Sequence, residues 1–144
     1  MVGLILAAGN GQRLAASGIE LCKPLIEIAG KSLIEYSLEN LFALKAEKVF
    51  IVVGKYKNEI QAKIGKEYKD IPIEYAVQRE PRGLVNAMAA ALPLINDDVI
   101  LQLSDEIFID TDTPSLLDAY GAADFICGVT EEDDAKKNQG QLFR

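Results

Sequence analysis

The feature that most constrains this chain is an alternation. Short, nearly unbroken apolar runs (Val2–Ala7, Val49–Val53, Ile71–Val77, Val99–Leu103 and residues 125–129) are separated by stretches with apolar residues at helical spacing. A strand that is apolar on both sides needs cover on both faces, as a parallel strand has between two layers of helices. The alternation therefore predicts an α/β fold, a doubly wound, mostly parallel sheet joined by right-handed crossovers. The helical stretches carry their own marks. Ser32 and Glu35 have the spacing of a capping box, and Ile34, Leu38, Leu41 and Phe42 then form one apolar stripe. Ile60 and Ile64 predict a shorter helix. Leu84, Met88, Ala91 and Leu92 predict another that ends near Pro93, and residues 115–120 a weak last one.

With 144 residues the chain is read as one domain over 1–144, long enough to build a core without a disulfide or structural metal. Its net charge of −7 is the wrong sign for a partner made of nucleic-acid backbone, though local cations and backbone N–H groups can still hold a small anion. Cys22 and Cys127 have neither disulfide-scaffold nor metal spacing, and no basic leader precedes the apolar start, so the cytoplasm is the expected location and no membrane is expected as a partner. The sequence has no histidine. Any chemistry must run on carboxylates, Lys, Arg and backbone, which counts against a histidine-based hydrolase.

The first strand runs into Leu6-Ala7-Ala8-Gly9-Asn10-Gly11-Gln12-Arg13-Leu14. A glycine-rich turn after a buried strand aims backbone N–H groups at a ligand, and Arg13 adds a planar cation suited to two phosphate oxygens. The dinucleotide fingerprint fails because its third glycine position is Leu14. A Walker loop ending at Gly30-Lys31-Ser32 fails because its first glycine position is Leu25. Gly30-Lys31-Ser32 is read instead as a turn and helix cap. A lone G-x-G turn is weak evidence. Three later segments add weight to it: Cys22-Lys23-Pro24-Leu25-Ile26-Glu27-Ile28-Ala29-Gly30-Lys31, then Gln78-Arg79-Glu80-Pro81-Arg82-Gly83-Leu84, then Leu103-Ser104-Asp105-Glu106-Ile107-Phe108.

Taken in order, these segments resemble the signature of the sugar-1-phosphate nucleotidyltransferases: L-A-A-G-x-G-x-R-L, then K-P-L-x-x-[IV]-x-G-K, a Gln before a helix-opening Gly, and a strand-end Asp. The resemblance covers positions 2–130. It implies a Rossmann-like fold and an enzyme joining an NTP to a sugar 1-phosphate, with Mg²⁺ as cofactor and NTP and sugar 1-phosphate as partners. It implies that Leu6, Ala7, Ala8, Gly9, Asn10, Gly11, Gln12, Arg13, Lys23, Gln78 and Gly83 bind the nucleotide, that Arg13 and Lys23 act catalytically, and that Asp105 holds the metal. Plainer roles stay open at each position, as turn glycines, surface cations or a cap. Arg82, Glu106 and Asp110 are weaker candidates, and Arg79 and Glu80 are expected to face solvent. Gln12 stands where the family often has Thr or Ser, and Ser104-Asp105-Glu106 where it often has Gly-Asp-Asn. The family's later Glu-Lys-Pro segment and second metal aspartate have no counterpart before Arg144, and residues 140–144 read as a lead into a further strand. The expectation is a truncated domain lacking the sugar-binding portion, prone to self-association or homo-oligomer formation. Two other functions share these residues: a non-catalytic nucleotide-binding or regulatory module, and a cytidylyltransferase acting on a phosphorylated alcohol such as choline phosphate.

Overall fold

In the computed structural model, residues 1–9, 18, 20–108 and 117 are described. Contacts divide the chain into two units, Met1–Thr111 and Asp112–Arg144. The elements of the first are β1 (Val2–Ala7), β2 (Glu27–Ile28), β3 (Lys31–Ser32), α1 (Leu33–Ala43), β4 (Val49–Val53), α2 (Lys57–Ile64), β5 (Glu67–Tyr68), β6 (Ile71–Val77), α3 (Leu84–Ala91) and β7 (Val99–Leu103). Short 3-10 turns lie at Lys23–Leu25 and Leu92–Leu94.

The main sheet has the order β5-β6-β4-β1-β7, with every neighbouring pair parallel except β5 against β6. The first strand in sequence is thus an inner strand of the sheet. Chain order runs outward from β1 through β4 to β6, then returns past β1 to β7. That reversal is the topological switch point, the place where open α/β sheets bind ligands beyond the carboxyl ends of their strands.

Side chains of β1 alternate between two cores. Ile5 and Ala7 join Ile34, Leu38 and Leu41 of α1 and Ile60 and Ile64 of α2. Val2, Leu4 and Leu6 face the opposite way, onto Ala87 and Ala91 of α3. Helices therefore cover both faces, as doubly wound architecture requires. Ile34, Leu41 and Ile60 are fully buried, each contributing about 1.5–3 kcal/mol over an exposed side chain. α1 begins as its sequence spacing predicts: Glu35 Oε2 accepts hydrogen bonds from the Ser32 backbone N–H (2.8 Å) and from its hydroxyl (2.6 Å).

Two expectations need correction. Phe42 lies outside the buried stripe of α1, exposed beneath the ammonium of Lys69. In and just past α3 the expected Ala91 is buried and Met88 packs against the same core, but the other buried contact is Ala87, and Leu84 and Leu92 are half exposed. Small residues let α3 lie close on the sheet, so the packing face is the alanine face and not the leucine one. Two hairpins go beyond what the sequence announces, which is a turn at Gly30. Ala29 and Gly30, and Lys69 and Asp70, have positive φ at both central positions, the geometry that closes two-residue turns between antiparallel strands. The strand expected at 125–129 and the helix at 115–120, apart from its residue 117, lie outside the described residues.

Candidate nucleotide-binding cleft

Beyond the carboxyl ends of β1, β6 and β7 lies an open cleft of about 520 Å³. Leu6, Ala8 and Gly9 line it from β1 and its extension, Gln78 and Pro81 from the segment after β6, and Gly83, Leu84 and Ala87 from the start of α3. Leu103, Ser104 and Asp105 come from the end of β7, and Lys23 and Pro24 from the 3-10 turn. Strand pairing sets this arrangement. Leu6 is in register with Leu103, and the Ser104 N–H donates to the Leu6 carbonyl (3.3 Å), bringing Asp105 to the mouth of the same cleft as Gly9.

Of the residues singled out in the sequence, Leu6, Ala8, Gly9, Lys23, Gln78, Gly83 and Asp105 are brought together here. Ala7 is not: its methyl is buried in the α1/α2 core, because alternation along β1 turns it to the other face. Asn10, Gly11, Gln12, Arg13 and Asp110 lie outside the described residues. Pro24, Pro81, Leu84, Ala87, Leu103 and Ser104 line the cleft without having been singled out. All but Ala87, which lies one helical turn past Gly83, adjoin a residue that was or continue a strand already aimed at the site. Glu80 and Arg82 pair with each other at the exposed surface. Arg79 is exposed in a second concavity of about 320 Å³, which shares Ala8, Gln78 and Pro81 with the first and adds Gly54, Lys55 and Val77.

The base of the cleft is tightly specified. Gly83 has φ 94° and ψ −177°, a conformation that a side chain makes costly, and it is the N-cap of α3. Its carbonyl accepts the Ala87 N–H (3.1 Å) and also Gln78 Nε2 (3.2 Å). The second Nε2 hydrogen is directed to Asn86 Oδ1 at 2.9 Å. Gln78 itself is 9% exposed. Gly54, just past β4, comes so close to β1 that a β-carbon there would lie 2.9 Å from the Ala8 carbonyl oxygen. Burial pushes the Cys22 thiol, next to Lys23, up from its ordinary pKa. Glu106 is also raised, first by desolvation and then by the negative charge of Asp105.

The chemistry a cation would meet here is limited. No three His, Cys, Asp or Glu side chains converge among the described residues. Asp105 and Glu106 are a neighbouring pair of carboxylates, of which Asp105 lines the cleft. That suits Mg²⁺, which commonly takes one or two carboxylates and completes its shell from substrate oxygens and water. It does not suit a closed, all-protein cage. No helix among the described residues is long and apolar enough to cross a membrane.

The sequence of the UTP–glucose-1-phosphate uridylyltransferase AglF of Haloferax volcanii is 38% identical over 108 residues, covering 75% of this chain and 44% of that protein. A CMP-5'-(3-aminopropyl)phosphonate synthase of Streptomyces rubellomurinus is 30% identical over 143 residues, 98% of this chain and 22% of that protein. The solved structure of a UDP-glucose pyrophosphorylase complexed with UDP-glucose matches with a TM-score of 0.69 at 25% identity, covering 83% of this chain and 52% of that one. The chain thus spans less than half the length of these two curated relatives. Residues 2–138 match the family model described as nucleotidyl transferase. A doubly wound sheet with a cleft at its switch point, and a family match running through nearly all of the sequence, agree: the chain belongs to the nucleotidyl transferase family.

Proposed function

We propose that this chain is the nucleotide-binding part of a sugar-1-phosphate nucleotidyltransferase, which converts an NTP and a sugar 1-phosphate into an NDP-sugar and pyrophosphate. The observation that carries the proposal is the convergence of Gly9, Lys23, Gln78, Gly83 and Asp105, from four separate stretches of sequence, on one cleft. Relatives named for sugar-nucleotide chemistry support it.

In the proposed step an oxygen of the sugar phosphate attacks the α-phosphorus in line. A new phosphorus–oxygen bond forms as the bond to the β-phosphate oxygen breaks, and pyrophosphate leaves. The nucleophile is already ionised at neutral pH, so no general base is required, in keeping with a sequence that has no histidine. The protein's task is then positioning and charge neutralisation. Lys23 would neutralise charge at the transferred phosphoryl. Backbone N–H groups from Leu6 through Gln12 (Ala7 by its backbone alone) and the guanidinium of Arg13 would hold the remaining phosphates. Gln78 and Gly83 would take the edge of the base. Asp105 would hold Mg²⁺, which when bound supplies electrophilic stabilisation of the phosphate oxygens. An NTP substrate and two cysteines without disulfide-scaffold spacing support a cytoplasmic location.

Calorimetric titration with UTP, dTTP, GTP and CTP, with and without Mg²⁺, tests the proposal. Saturable, Mg²⁺-enhanced heat with at least one nucleotide is expected, and a folded protein that gives none with any of them would sink it. A second function, cytidylyl transfer to a phosphorus acid, is favoured by the Streptomyces relative. Tightest binding of CTP would support that one instead.

A further inference from the structure

Resting on the proposed nucleotide site, we infer that Ser37 is a positioning residue for it: from outside the cleft, its hydroxyl holds the peptide unit that leads into Ser104-Asp105, and so ties the carboxylate proposed for Mg²⁺ to the helix that also carries the Lys23 turn. Ser37 is fully buried, on the side of α1 that carries Ile34, Leu38 and Leu41. Its Oγ lies 3.2 Å from the Leu103 carbonyl oxygen and 3.4 Å from that of Leu33. A hydroxyl has one hydrogen to give. The Leu33 carbonyl is the one that receives the helical N–H of Ser37 itself. The Leu103 carbonyl is nearer, and it points away from β1, because the Ser104 N–H of the same peptide unit points toward it. β7 is the outermost strand on that side among the described residues, so this carbonyl has no ladder partner there. The hydrogen therefore belongs to Leu103.

One peptide unit is thus held at both ends. Its N–H donates to the Leu6 carbonyl of β1 at 3.3 Å, a long bond at the last register pair of the ladder. On that bond alone the unit would be free to rock, and the Ser37 hydroxyl fixes its other end. The chain then turns at Ser104 and Asp105, so the direction of this unit sets how Asp105 enters the cleft. α1 is tied at its start as well. The Leu33 N–H donates to the Ile26 carbonyl, and the Ile26 N–H to the Lys23 carbonyl, each at 3.0 Å. One helix therefore runs from the turn carrying Lys23 to the strand end carrying Asp105, and it fixes cation and carboxylate relative to each other. Phosphoryl transfer depends on such placement. Three residues along α1, Asn40 Nδ2 donates to Gln102 Oε1 at 3.0 Å. This second polar tie between the same helix and strand grips a side chain and not a peptide unit, which makes it a control.

The experiment uses the wild-type chain, Ser37→Ala, Ser37→Thr, Asn40→Ala and Asp105→Asn. For each, the Kd of the best-binding nucleotide among UTP, dTTP, GTP and CTP is measured with and without Mg²⁺, and the amide hydrogen exchange of Ser104 is followed by NMR. Ser37→Ala should cut the Mg²⁺ enhancement of affinity about twofold to fivefold, the upper figure being the full value of one neutral hydrogen bond. It should leave metal-free affinity nearly unchanged and speed Ser104 exchange. Ser37→Thr keeps the donor and should keep the enhancement. Asn40→Ala should lower stability and keep the enhancement too. An undiminished enhancement in folded Ser37→Ala beside a lost one in Asp105→Asn, or an equal loss in Asn40→Ala, would overturn the inference and leave the nucleotide site standing. Should Ser37→Ala not fold, Ser37→Cys, whose thiol is a weak donor, takes its place with the same expectation. Wild-type enhancement in Asp105→Asn, or failure of every nucleotide to bind, would instead remove the proposed site, and the role of Ser37 with it.

Discussion

Replacing Gly54 by alanine would put a methyl carbon 2.9 Å from the Ala8 carbonyl oxygen, 3.4 Å from its Cα and 3.5 Å from its carbonyl carbon. All three are backbone atoms, so no side chain can rotate out of the way. The φ of Gly54 is not in the left-handed region, which means the whole cost is contact rather than backbone conformation. Restoring an ordinary separation of about 3.5 Å requires the ends of β1 and β4 to part by about half an ångström. Overpacking of this kind costs about 1–3 kcal/mol. The strain falls where β1 hands over to Gly9, so it should weaken ligand binding as well as stability. Differential scanning calorimetry should show Tm lowered by about 4 °C or more per kcal/mol, and titration with the preferred NTP should show Kd raised about tenfold, the loss of roughly one charge-assisted hydrogen bond. A Gly54→Ala protein melting within about 1 °C of wild type, with unchanged Kd, would refute the claim that backbone contact between these strands sets the shape of the cleft.

Three further outcomes are expected. Asp105→Asn should weaken NTP binding in Mg²⁺ and leave metal-free binding nearly unchanged. Equal losses in both titrations would make Asp105 a structural cap. Glu35 is held below the usual carboxylate range, first by the Ser32 hydroxyl, then by the Ser32 N–H, with Lys63 adding to this. A depressed carboxylate contributes stability above its unfolded pKa that is lost as pH falls through the folded one. Urea unfolding should therefore show wild-type stability dropping below about pH 4.5, with a shallower drop in Glu35→Gln and a loss of about 1 kcal/mol at pH 7 in Glu35→Ala. Finally, the 144-residue chain should bind NTP yet release pyrophosphate very slowly with any sugar 1-phosphate, because the resemblance assigns the sugar contacts to a later half. Rapid release in a coupled phosphate assay would place those contacts within these residues.

The long parallel strands were legible as nearly unbroken apolar runs. β1, β4, β6 and β7 span the ranges read from the sequence. The two-residue hairpins were not, apart from a turn at Gly30, since they use Ala29-Gly30 and Lys69-Asp70 rather than the Asn-Gly or Asp-Gly pairs that announce such turns. Periodicity found Ala91 and Met88 on α3 but missed Ala87 and overrated Leu84 and Leu92, because it weighs leucine above alanine. For the cleft, glycine, lysine, glutamine and aspartate at strand ends were visible as candidates. What the sequence does not encode locally is the hydrogen-bond polarity of Gln78, which the Gly83 carbonyl sets. Gly54 gave no signal at all. Its role comes from a close approach between strands that only the sheet order creates.

The inner place of β1 also has a consequence for when the protein becomes itself. In order of synthesis β1 pairs on one side with β4 but must wait for Val99–Leu103 before its other edge is filled. Pairings of such long sequence separation are entropically late. Gly9, Lys23 and Gln78 can be gathered early, whereas Asp105 arrives only with that later pairing. A nucleotide that gripped both sides of the cleft, as proposed, would bind the sheet with β7 in place and not its precursors, and by mass action would favour that pairing. Cellular NTP would then act as a maturation factor for the chain as well as its proposed substrate.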